Sequence, residues 1–415
     1  MAHAPLNVAV TALDPPPIPA VQAAARRYDG RFGPLVDLSQ AVPGYPAHPS
    51  LLAALGESAA DPDLLGYGSI EGEEVLREAY AASLSGRYGA PVAAGEVLIA
   101  AGCNQAFVAA AMTVAGAGDA IVLVTPFYFN HASTLAMLGI DVRACPADPG
   151  RGFLPDPEAL RRAIVPGVRA VALVSPDNPT GRICPPALLG AILEVCVERD
   201  VWLLLDETYR DFLPGTSGAV AGGAPPHALF GRAGAAPWQD HLITLASFSK
   251  SWCIPGHRLG ALTAGEAVIA EIGKVMDNVQ ICAPRAAQHA LARVMPALDG
   301  WREANRLEIG RRAAALRRAF EALSGWHLAS LGAYFAYARH PWADEDSVDV
   351  AARLAEERGV LTLPGAFFGA DQARYLRIAF ANVDAATIGR LPERLGGRAA
   401  SRGGAPRRRP SWHEN

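Results

Sequence analysis

Lys250 is the residue of this chain whose type and position first suggest covalent chemistry. It is one of only two lysines in 415 residues, and it lies in segment 247–252 (Ser-Phe-Ser-Lys-Ser-Trp), directly after the apolar run 242–246. Arginine carries surface charge equally well, but its guanidinium stays protonated and cannot attack a carbonyl carbon. Schiff-base chemistry requires an amine that can lose its proton. Lys250 is therefore a candidate nucleophile, although a composition poor in lysine also leaves room for a chance position.

Other apolar segments are likewise followed by side chains that could act on a small molecule. A carboxylate that ends a buried strand needs a cationic or hydrogen-bonding partner, and a helix start offers free backbone N–H groups to an anion. Each feature also has an ordinary explanation, such as a capped helix or packed aromatic rings. Because ligands of open α/β sheets gather at the carboxyl ends of the strands, the features together predict one site. They are Gly102, Cys103 and Asn104 at a helix start, Tyr128 in an aromatic segment, Asn178 in a rigid turn, Asp206 and Tyr209 after one strand, and Arg258.

The elements that must position these residues alternate along the chain, which predicts an α/β fold with a mostly parallel central sheet covered by helices. Predicted strands lie at 97–99, 120–124, 168–174, 201–205, 242–246 and 259–262, and predicted helices at 72–85, 104–115, 130–138, 156–164, 186–199 and 266–280.

After about residue 285 the pattern changes to that of a smaller α+β domain. The predicted elements there are helices at 300–323 and 348–358, strands at 326–328, 334–338 and 375–380, and a last helix. The predicted organisation is an N-terminal segment at 1–48, a large domain at 49–285 and a small domain at 286–395. Residues 396–415 contain five arginines among scattered Gly and Pro, which predicts a disordered tail.

Composition narrows the possible partners. Hydrophobic residues are 51% and charged residues 19%, which favours a large core over disorder. A net charge of −4 gives no reason to expect nucleic acid or an anionic membrane as partner. The six cysteines show no metal-binding spacing, and the start has no basic region before its Pro15-Pro16-Pro17 break, so we expect reduced thiols in a cytoplasmic protein without a signal peptide or metal site.

Three motifs in order resemble those of the class I/II aminotransferases, fold type I enzymes that use pyridoxal 5′-phosphate (PLP). They are Asn178-Pro179-Thr180-Gly181, the tetrad Asp206-Glu207-Thr208-Tyr209, and Ser247-x-Ser249-Lys250 followed by Arg258-Leu259-Gly260. The resemblance covers roughly residues 35 to 395. It implies a large PLP-binding domain, a smaller domain, and transfer of an amino group between an amino acid and a 2-oxo acid by a ping-pong mechanism.

The resemblance also implies a role for each site residue. Lys250 resembles the lysine that bonds to the cofactor and moves a proton, and Asp206 resembles the partner of the pyridinium nitrogen. Asn178 and Tyr209 resemble the two donors to the ring's phenolic oxygen, and Tyr128 the aromatic residue stacked on the ring. The phosphate cup is matched by Cys103, Asn104, Ser247, Ser249 and Arg258 with backbone N–H groups of the Gly102 turn, although Cys103 replaces a small hydroxyl residue or Gly and would contribute its backbone only.

Two further matches concern substrate and assembly. Arg377 resembles the arginine that grips the substrate α-carboxylate with its planar fork, where Gly44 and Asn178 also contribute. Tyr67 resembles a tyrosine that reaches the phosphate of the neighbouring subunit, which implies a homodimer with shared sites. Segments 41–45 and 332–335, which hold aromatics and no charge, favour an apolar or aromatic side chain in one substrate.

Three alternative functions remain at this stage. A PLP-dependent β-lyase, or another elimination or cyclisation enzyme, would use the same lysine, because the outcome depends on which Cα bond stands perpendicular to the ring. A non-catalytic PLP-sensing regulator would need a DNA-binding domain, for which the first 35 or so residues leave no room. A nicotinamide-dependent dehydrogenase would need a glycine fingerprint that the sequence lacks.

Overall fold

The computed structural model describes residues 4–214, 225–231 and 237–396. Its strands form three sheets, of seven, four and two strands. The strands are β1 (Val36–Asp37), β2 (Val97–Ala100), β3 (Ala120–Thr125), β4 (Asp141–Pro146), β5 (Val168–Val174), β6 (Trp202–Asp206), β7 (Leu242–Ser247), β8 (Gly260–Thr263), β9 (His327–Gly332), β10 (Phe335–Arg339), β11 (Val360–Leu361), β12 (Leu363–Pro364) and β13 (Tyr375–Ala379).

Fifteen α-helices lie in the described part of the chain. They are α1 (Val8–Thr11), α2 (Pro17–Ala25), α3 (Pro49–Ala59), α4 (Glu74–Tyr88), α5 (Cys103–Val114), α6 (Phe129–Leu138), α7 (Pro157–Ala163), α8 (Pro186–Glu198), α9 (Phe248–Ser251), α10 (Glu266–Val279), α11 (Arg285–Val294), α12 (Asp299–Glu321), α13 (Ser347–Arg358), α14 (Ala385–Gly389) and α15 (Leu391–Leu395). None is long and apolar enough to span a membrane.

The seven-stranded sheet has the order β2-β8-β7-β6-β5-β3-β4, and β8 alone runs antiparallel to its neighbours. Its central strands are mostly apolar because both faces of the sheet are covered. In β6, Leu203 and Leu205 join one hydrophobic cluster while Leu204 joins another on the opposite face. The carboxyl ends of six parallel strands therefore meet at one edge, and β8 begins at that same edge.

The four-stranded sheet, in the order β12-β13-β10-β9, is antiparallel and packs over its own hydrophobic cluster with α12, α13 and the terminal helices. Strand β1, from the N-terminal segment, pairs with β11 beside this sheet. The pairing brings residues near 37–45 next to β13, where Leu38 accepts a backbone hydrogen bond from Ala379.

The predicted elements agree with the structure to within about three residues at most ends, and the mostly parallel central sheet is confirmed. The exceptions are instructive. Strand β9 is longer than its predicted three residues, and the last helix is two short helices, α14 and α15, separated by Arg390. The edge strand β4 and helices α3 and α11 are additional elements. The predicted disordered tail lies, apart from Gly396, outside the described residues.

Candidate active site

A cleft opens where the parallel strands end. It contains about 670 Å³ of empty space, part of which is open to solvent. Turns after β2, β3, β5, β6 and β7 and the start of β8 supply its walls. The lining residues are Cys103, Asn104, Tyr128, Val174, Asn178, Asp206, Thr208, Tyr209, Ser247, Ser249, Lys250 and Arg258.

Lys250 lies on α9, a single helical turn that follows β7. Ser247 caps this turn by accepting a hydrogen bond from the Ser249 backbone N–H at 3.2 Å, which fixes the direction of the Lys250 side chain. The ammonium donates to the carbonyl oxygen of Ala41 at 2.6 Å. Burial, together with the positive charges of Arg377 and Arg258, lowers the pKa of Lys250 to about 8. The neutral form of this amine, which a nucleophile or base requires, is therefore much more abundant at neutral pH than in an ordinary lysine.

Asp206 is the last residue of β6 and is almost fully buried. One carboxylate oxygen accepts the Thr208 backbone N–H at 2.8 Å, and the other lies 3.7 Å from Nε2 of His131. Burial raises the pKa of the Asp206 carboxyl, with the hydrogen bond from Thr208 opposing the change. A buried carboxylate in this state gains most from a cationic partner inside the cleft.

His131 lies beside Asp206 and does not line the cleft. Its ring stacks on Phe107, with centroids 3.9 Å apart and planes inclined by 16°. Burial lowers the pKa of His131 to about 3, so the imidazole is neutral and does not supply the positive charge that Asp206 lacks. The cationic partner must come from a bound molecule.

Arg377 reaches the cleft from β13 of the small sheet. Its Nη1 donates to Oδ1 of Asn178 at 3.0 Å and its Nη2 donates to the carbonyl oxygen of Ser39, while its buried Nε has no partner. The guanidinium also lies over the ring of Phe335, 5.1 Å from the centroid. Burial lowers the pKa of Arg377 to about 10, and none of the ion pairs among residues 4–214, 225–231 and 237–396 involves it. An anionic ligand would compensate this buried charge.

Two tyrosines complete the wall between Asp206 and Arg377. Tyr209 is buried and packs edge-on against Phe335, with centroids 5.0 Å apart. The hydroxyl of Tyr128 accepts a hydrogen bond from Asn130 at 2.6 Å, and its ring meets His131 edge-on. Burial raises the pKa of both phenols, so each stays protonated and able to donate a hydrogen bond.

An anion cradle lies at the other end of the cleft. Helix α5 begins there at Cys103, after Gly102 with φ of 87°, and its first N–H groups have no intrahelical acceptors. A Cβ on Gly102 would lie 2.3 Å from Nη2 of Arg258, so only glycine permits the guanidinium to approach the turn. Arg258 itself has a left-handed backbone conformation, φ 53°, and is anchored by donation to the Pro255 carbonyl at 2.8 Å.

The structure brings most predicted site residues together. Ten of the twelve lining residues are predicted ones, and Gly102 and Arg377 contact lining residues directly. Tyr67 is not in the lining and is 81% exposed. Gly44 is also absent from the lining; its backbone N–H donates to Ala381, and a Cβ there would collide with Arg312 and Asn382. Val174, Thr208 and His131 are site residues that the sequence analysis did not assign.

The donor set fits PLP. An anion cradle of backbone N–H groups, serine hydroxyls and Arg258 suits a phosphate, and a buried carboxylate without a cation suits a pyridinium nitrogen. Lys250, with its lowered pKa, lies between them as the amine that would bond to an aldehyde carbon. The fold and the site together define a fold type I enzyme that works through PLP.

Known proteins identify the family. The family model "Aminotransferase class I and II" matches residues 34–395. An aromatic aminotransferase of Arabidopsis thaliana is 28% identical over 353 residues, covering 83% of this chain and 84% of the relative. A valine–pyruvate aminotransferase of Mycobacterium tuberculosis is 31% identical over 368 residues, covering 87% and 90%. A solved structure of a Thermus thermophilus aspartate aminotransferase mutant superposes with a TM-score of 0.83 at 26% identity, covering 95% of this chain and 99% of that one.

The chain belongs to the class I and II aminotransferases. It is an enzyme that transfers amino groups between amino acids and 2-oxo acids, and it depends on PLP as the members of this family do. The fold type I assignment made from the sequence is confirmed, and so are the cofactor and the transaminase function.

Proposed function

We propose that the cleft residues act as a unit in which each holds one part of the cofactor or substrate. Asp206 pairs with the ring nitrogen, Asn178 and Tyr209 donate to the phenolic oxygen, and Tyr128 packs on the ring face. The phosphate is held at the start of α5 by Gly102, Cys103 and Asn104, with Ser247, Ser249 and Arg258 opposite. The support is that these side chains converge on one cleft with complementary charges.

When bound, PLP supplies an electron-withdrawing ring that accepts the electron pair left at the substrate Cα. Lys250 would do the proton transfer: its neutral Nζ would take the proton from the substrate Cα and deliver it to the former aldehyde carbon of the cofactor within the same half-reaction. Asp206 holds the ring nitrogen in its protonated form, and the neutral His131 beside it keeps the full carboxylate charge directed at the cleft.

The observation that carries this proposal is the state of Arg377. This buried guanidinium has an unpaired Nε and forms no salt bridge with a carboxylate in the part of the chain that the structure describes, and it lies close enough to Lys250 to lower the pKa of that amine. A planar fork in this position suits the α-carboxylate of an amino acid, which would be held in two places while Cα faces Lys250. Asn178 would orient the fork through its 3.0 Å contact.

We also propose that one substrate has an apolar or aromatic side chain. The hydroxyl groups of Tyr45 and Tyr334 are hydrogen-bonded to each other at 3.2 Å, close to α9, which carries Lys250. The Tyr334 hydroxyl also lies 3.4 Å from the carbonyl oxygen of Lys250. The nearby Arg312 is already paired with Glu308, so it does not offer a free charge to an acidic side chain. The names of two relatives, an aromatic and a valine–pyruvate aminotransferase, are consistent with this class.

The test is the half-reaction of the purified holoenzyme with single amino acids and no 2-oxo acid. We expect phenylalanine, tyrosine, leucine or valine to bleach the visible band of the bound cofactor and to yield one 2-oxo acid per site. Aspartate and glutamate, at equal concentration, should react at least about tenfold more slowly, since a buried charge lacks a partner near Tyr45. Preference for the acidic donors would refute the proposed substrate class. Catalytic release of ammonia would instead indicate elimination.

We further propose a homodimer in which Tyr67 completes the partner's phosphate site. Tyr67 is 81% exposed, and Leu65, two residues before it, is 79% exposed. The loop that carries them is held in place, because Arg285 donates to the carbonyl oxygens of Asp63 and Gly66. A rigid loop that exposes apolar side chains is suited to contact a second copy of this chain.

Removing the Tyr67 hydroxyl should therefore weaken cofactor binding in a protein that sediments as a dimer. We expect Tyr67→Phe to raise the dissociation constant of PLP by about tenfold, the effect of one hydrogen bond to a charged group. Tyr28→Phe is the matched control, because its hydroxyl bonds within the chain, to Gly33 at 3.1 Å. A fully active monomer, or an unchanged constant in Tyr67→Phe, would contradict the shared site.

We propose the domain organisation to be a large domain at 49–285, a small domain at 286–395 and an N-terminal segment at 1–48 that joins the small one. The separate sheets support this division, as does the pairing of β1 with β11. Gly44 would act within that segment through its backbone, at the entrance to the cleft.

A cytoplasmic location is proposed as well; it is supported by all six cysteines being free.

A further inference from the structure

A buried ion pair lies in the turn that carries Asn178. The side chains of Asp177 and Arg182 are each only 2% exposed, and Nη2 of Arg182 donates to Oδ1 of Asp177 at 3.0 Å. Neither residue lines the cleft. A buried pair of this kind is weak support for stability, because desolvation offsets much of the attraction. Its geometric effect on the turn is therefore the more informative property.

The pair closes the turn on itself. The second oxygen of Asp177 accepts from the hydroxyl of Thr180 at 2.5 Å and from its backbone N–H at 3.1 Å. The backbone N–H of Asp177 donates to the Arg182 carbonyl at 2.8 Å, and that of Gly181 to the Asp177 carbonyl at 2.9 Å. Asn178 lies inside this ring of contacts, so its backbone has little freedom.

Arg182 also ties the turn to the walls around it. Its Nη1 donates to the carbonyl oxygen of Phe153 at 2.6 Å, and its Nη2 is 3.3 Å from the carbonyl oxygen of Val174, a lining residue at the end of β5. The guanidinium group of Arg182 therefore connects the turn that carries Asn178 with the end of β5 and with the segment around Phe153. Losing either partner would leave the other charge buried and unpaired, and the turn would have to move to solvate it.

The opposite side of the same turn faces the small sheet. A Cβ on Gly181 would lie 2.3 Å from the Phe335 carbonyl oxygen, and Asn178 accepts the hydrogen bond from Arg377 on β13. Asn178 is thus held on one side by the turn that the Asp177–Arg182 ion pair closes, and on the other side by its hydrogen bond with Arg377. A small displacement of the turn would disturb both its contact with Arg377 and its contact with the cofactor.

We propose that Asp177 and Arg182 are positioning residues that fix the side-chain amide of Asn178 for its contacts with Arg377 and with the phenolic oxygen of the cofactor. The inference rests on the proposed function in that it assigns Asn178 the role of donor to this oxygen. It adds two residues that act through Asn178 without touching cofactor or substrate. Their effect must therefore disappear when the Asn178 side chain is removed.

A double-mutant cycle on the holoenzyme tests this dependence. The variants are Asp177→Asn, Asn178→Ala and their combination, and the readouts are kcat/KM and the pH midpoint of the visible band of the lysine-bound cofactor. A donor to the phenolic oxygen favours its charged form, so loss or misplacement of Asn178 should raise that midpoint. We expect Asp177→Asn to raise it by about half a pH unit and to lower kcat/KM by about tenfold, with no further change in either when added to Asn178→Ala.

The control is Arg353→Met on α13, which breaks a partly buried ion pair with Glu345. It should lower the unfolding temperature without moving the band midpoint. An effect of Asp177→Asn that persists in full on the Asn178→Ala background, or an unmoved midpoint, would overturn the positioning role. An Asn178→Ala variant with a normal midpoint would instead refute the proposed role of Asn178.

The Arg182→Lys variant keeps the test decisive if Asp177→Asn does not fold. Lysine preserves the positive charge beside Asp177 but has no planar fork with which to reach Asp177, Phe153 and Val174 together. The same cycle with Asn178→Ala then applies. A raised midpoint that vanishes without the Asn178 side chain supports the proposal, and an unmoved midpoint in folded protein contradicts it.

Discussion

Lys250→Ala should lose the visible band of the lysine-bound cofactor and reduce turnover by about 10³-fold or more, because both the nucleophile and the base are removed. The lowered pKa of Lys250, about 8, reflects burial and two nearby arginines, and alanine supplies no group that could replace it. The measurement is a single half-reaction with excess amino acid, followed at the wavelength of the visible band. The cofactor should still bind through its phosphate group, because the substitution leaves the anion cradle at the start of α5 unchanged.

The only other lysine provides the control. Lys274 on α10 is 70% exposed and pairs with Glu271 at 2.7 Å, so Lys274→Ala should retain the spectrum and the rate. Surface pairs of this kind contribute little to stability, so Lys274→Ala should fold normally. Multiple turnovers by Lys250→Ala at more than a small fraction of the normal rate would show that another group moves the proton.

Arg377→Met should reduce kcat/KM for amino acids by about 10²- to 10³-fold, because two charge-assisted hydrogen bonds to the α-carboxylate are each worth about 1.5–3 kcal/mol and part of that energy is recovered elsewhere. Methionine fills similar space against Phe335 and Phe368 without burying a charge. Selectivity provides the sharper readout. The wild-type enzyme should strongly prefer an amino acid to the amine that lacks its carboxylate, and Arg377→Met should lose most of that preference.

Arg339, at the exposed end of the neighbouring strand β10, serves as the matched control. Arg339→Met makes the same type of substitution in the same sheet, at a position remote from Asn178. This variant should keep the preference for the amino acid over the amine. If Arg377→Met instead loses activity equally towards amino acid and amine, the arginine acts by holding Asn178 and Ser39 rather than by binding the carboxylate.

The central sheet was predictable because its strands are buried on both faces and so consist mostly of apolar residues. Strand β5 extends from Val168 to Val174, and only the exposed Arg169 interrupts its apolar sequence. The edge strand β4 was not predictable for the opposite reason: all but one of its six side chains are at least partly exposed, so no apolar pattern marks it. Helix α11 follows Pro284 with a sequence of alanines and polar residues, and its burial depends on α3 and α4, which are distant in sequence.

The site was predictable to the extent that strand ends converge. Asn178, Asp206 and Lys250 each follow an apolar run, so their common edge follows from a parallel sheet. His131 was not assigned because nothing in its local segment shows that it will stack on Phe107 and face Asp206. The Arg182 contact with Phe153 is equally invisible before folding, since it joins two turns that are 29 residues apart. Tyr67 and Gly44 took their predicted roles from family resemblance, and those roles stay predictions.

The reversed direction of β8 limits how the chain can vary in length. Ser247, at the end of β7, pairs with Gly260, at the start of β8, so the connection between them leaves and re-enters the sheet at the cleft. That connection carries both Lys250 and Arg258, which must stay in fixed relation to one molecule. Connections on the opposite edge, such as residues 116–119 between α5 and β3, bear no such constraint. Insertions should therefore be tolerated at 116–119, whereas a single residue added between 250 and 258 would uncouple the reacting amine from the anchor of its cofactor.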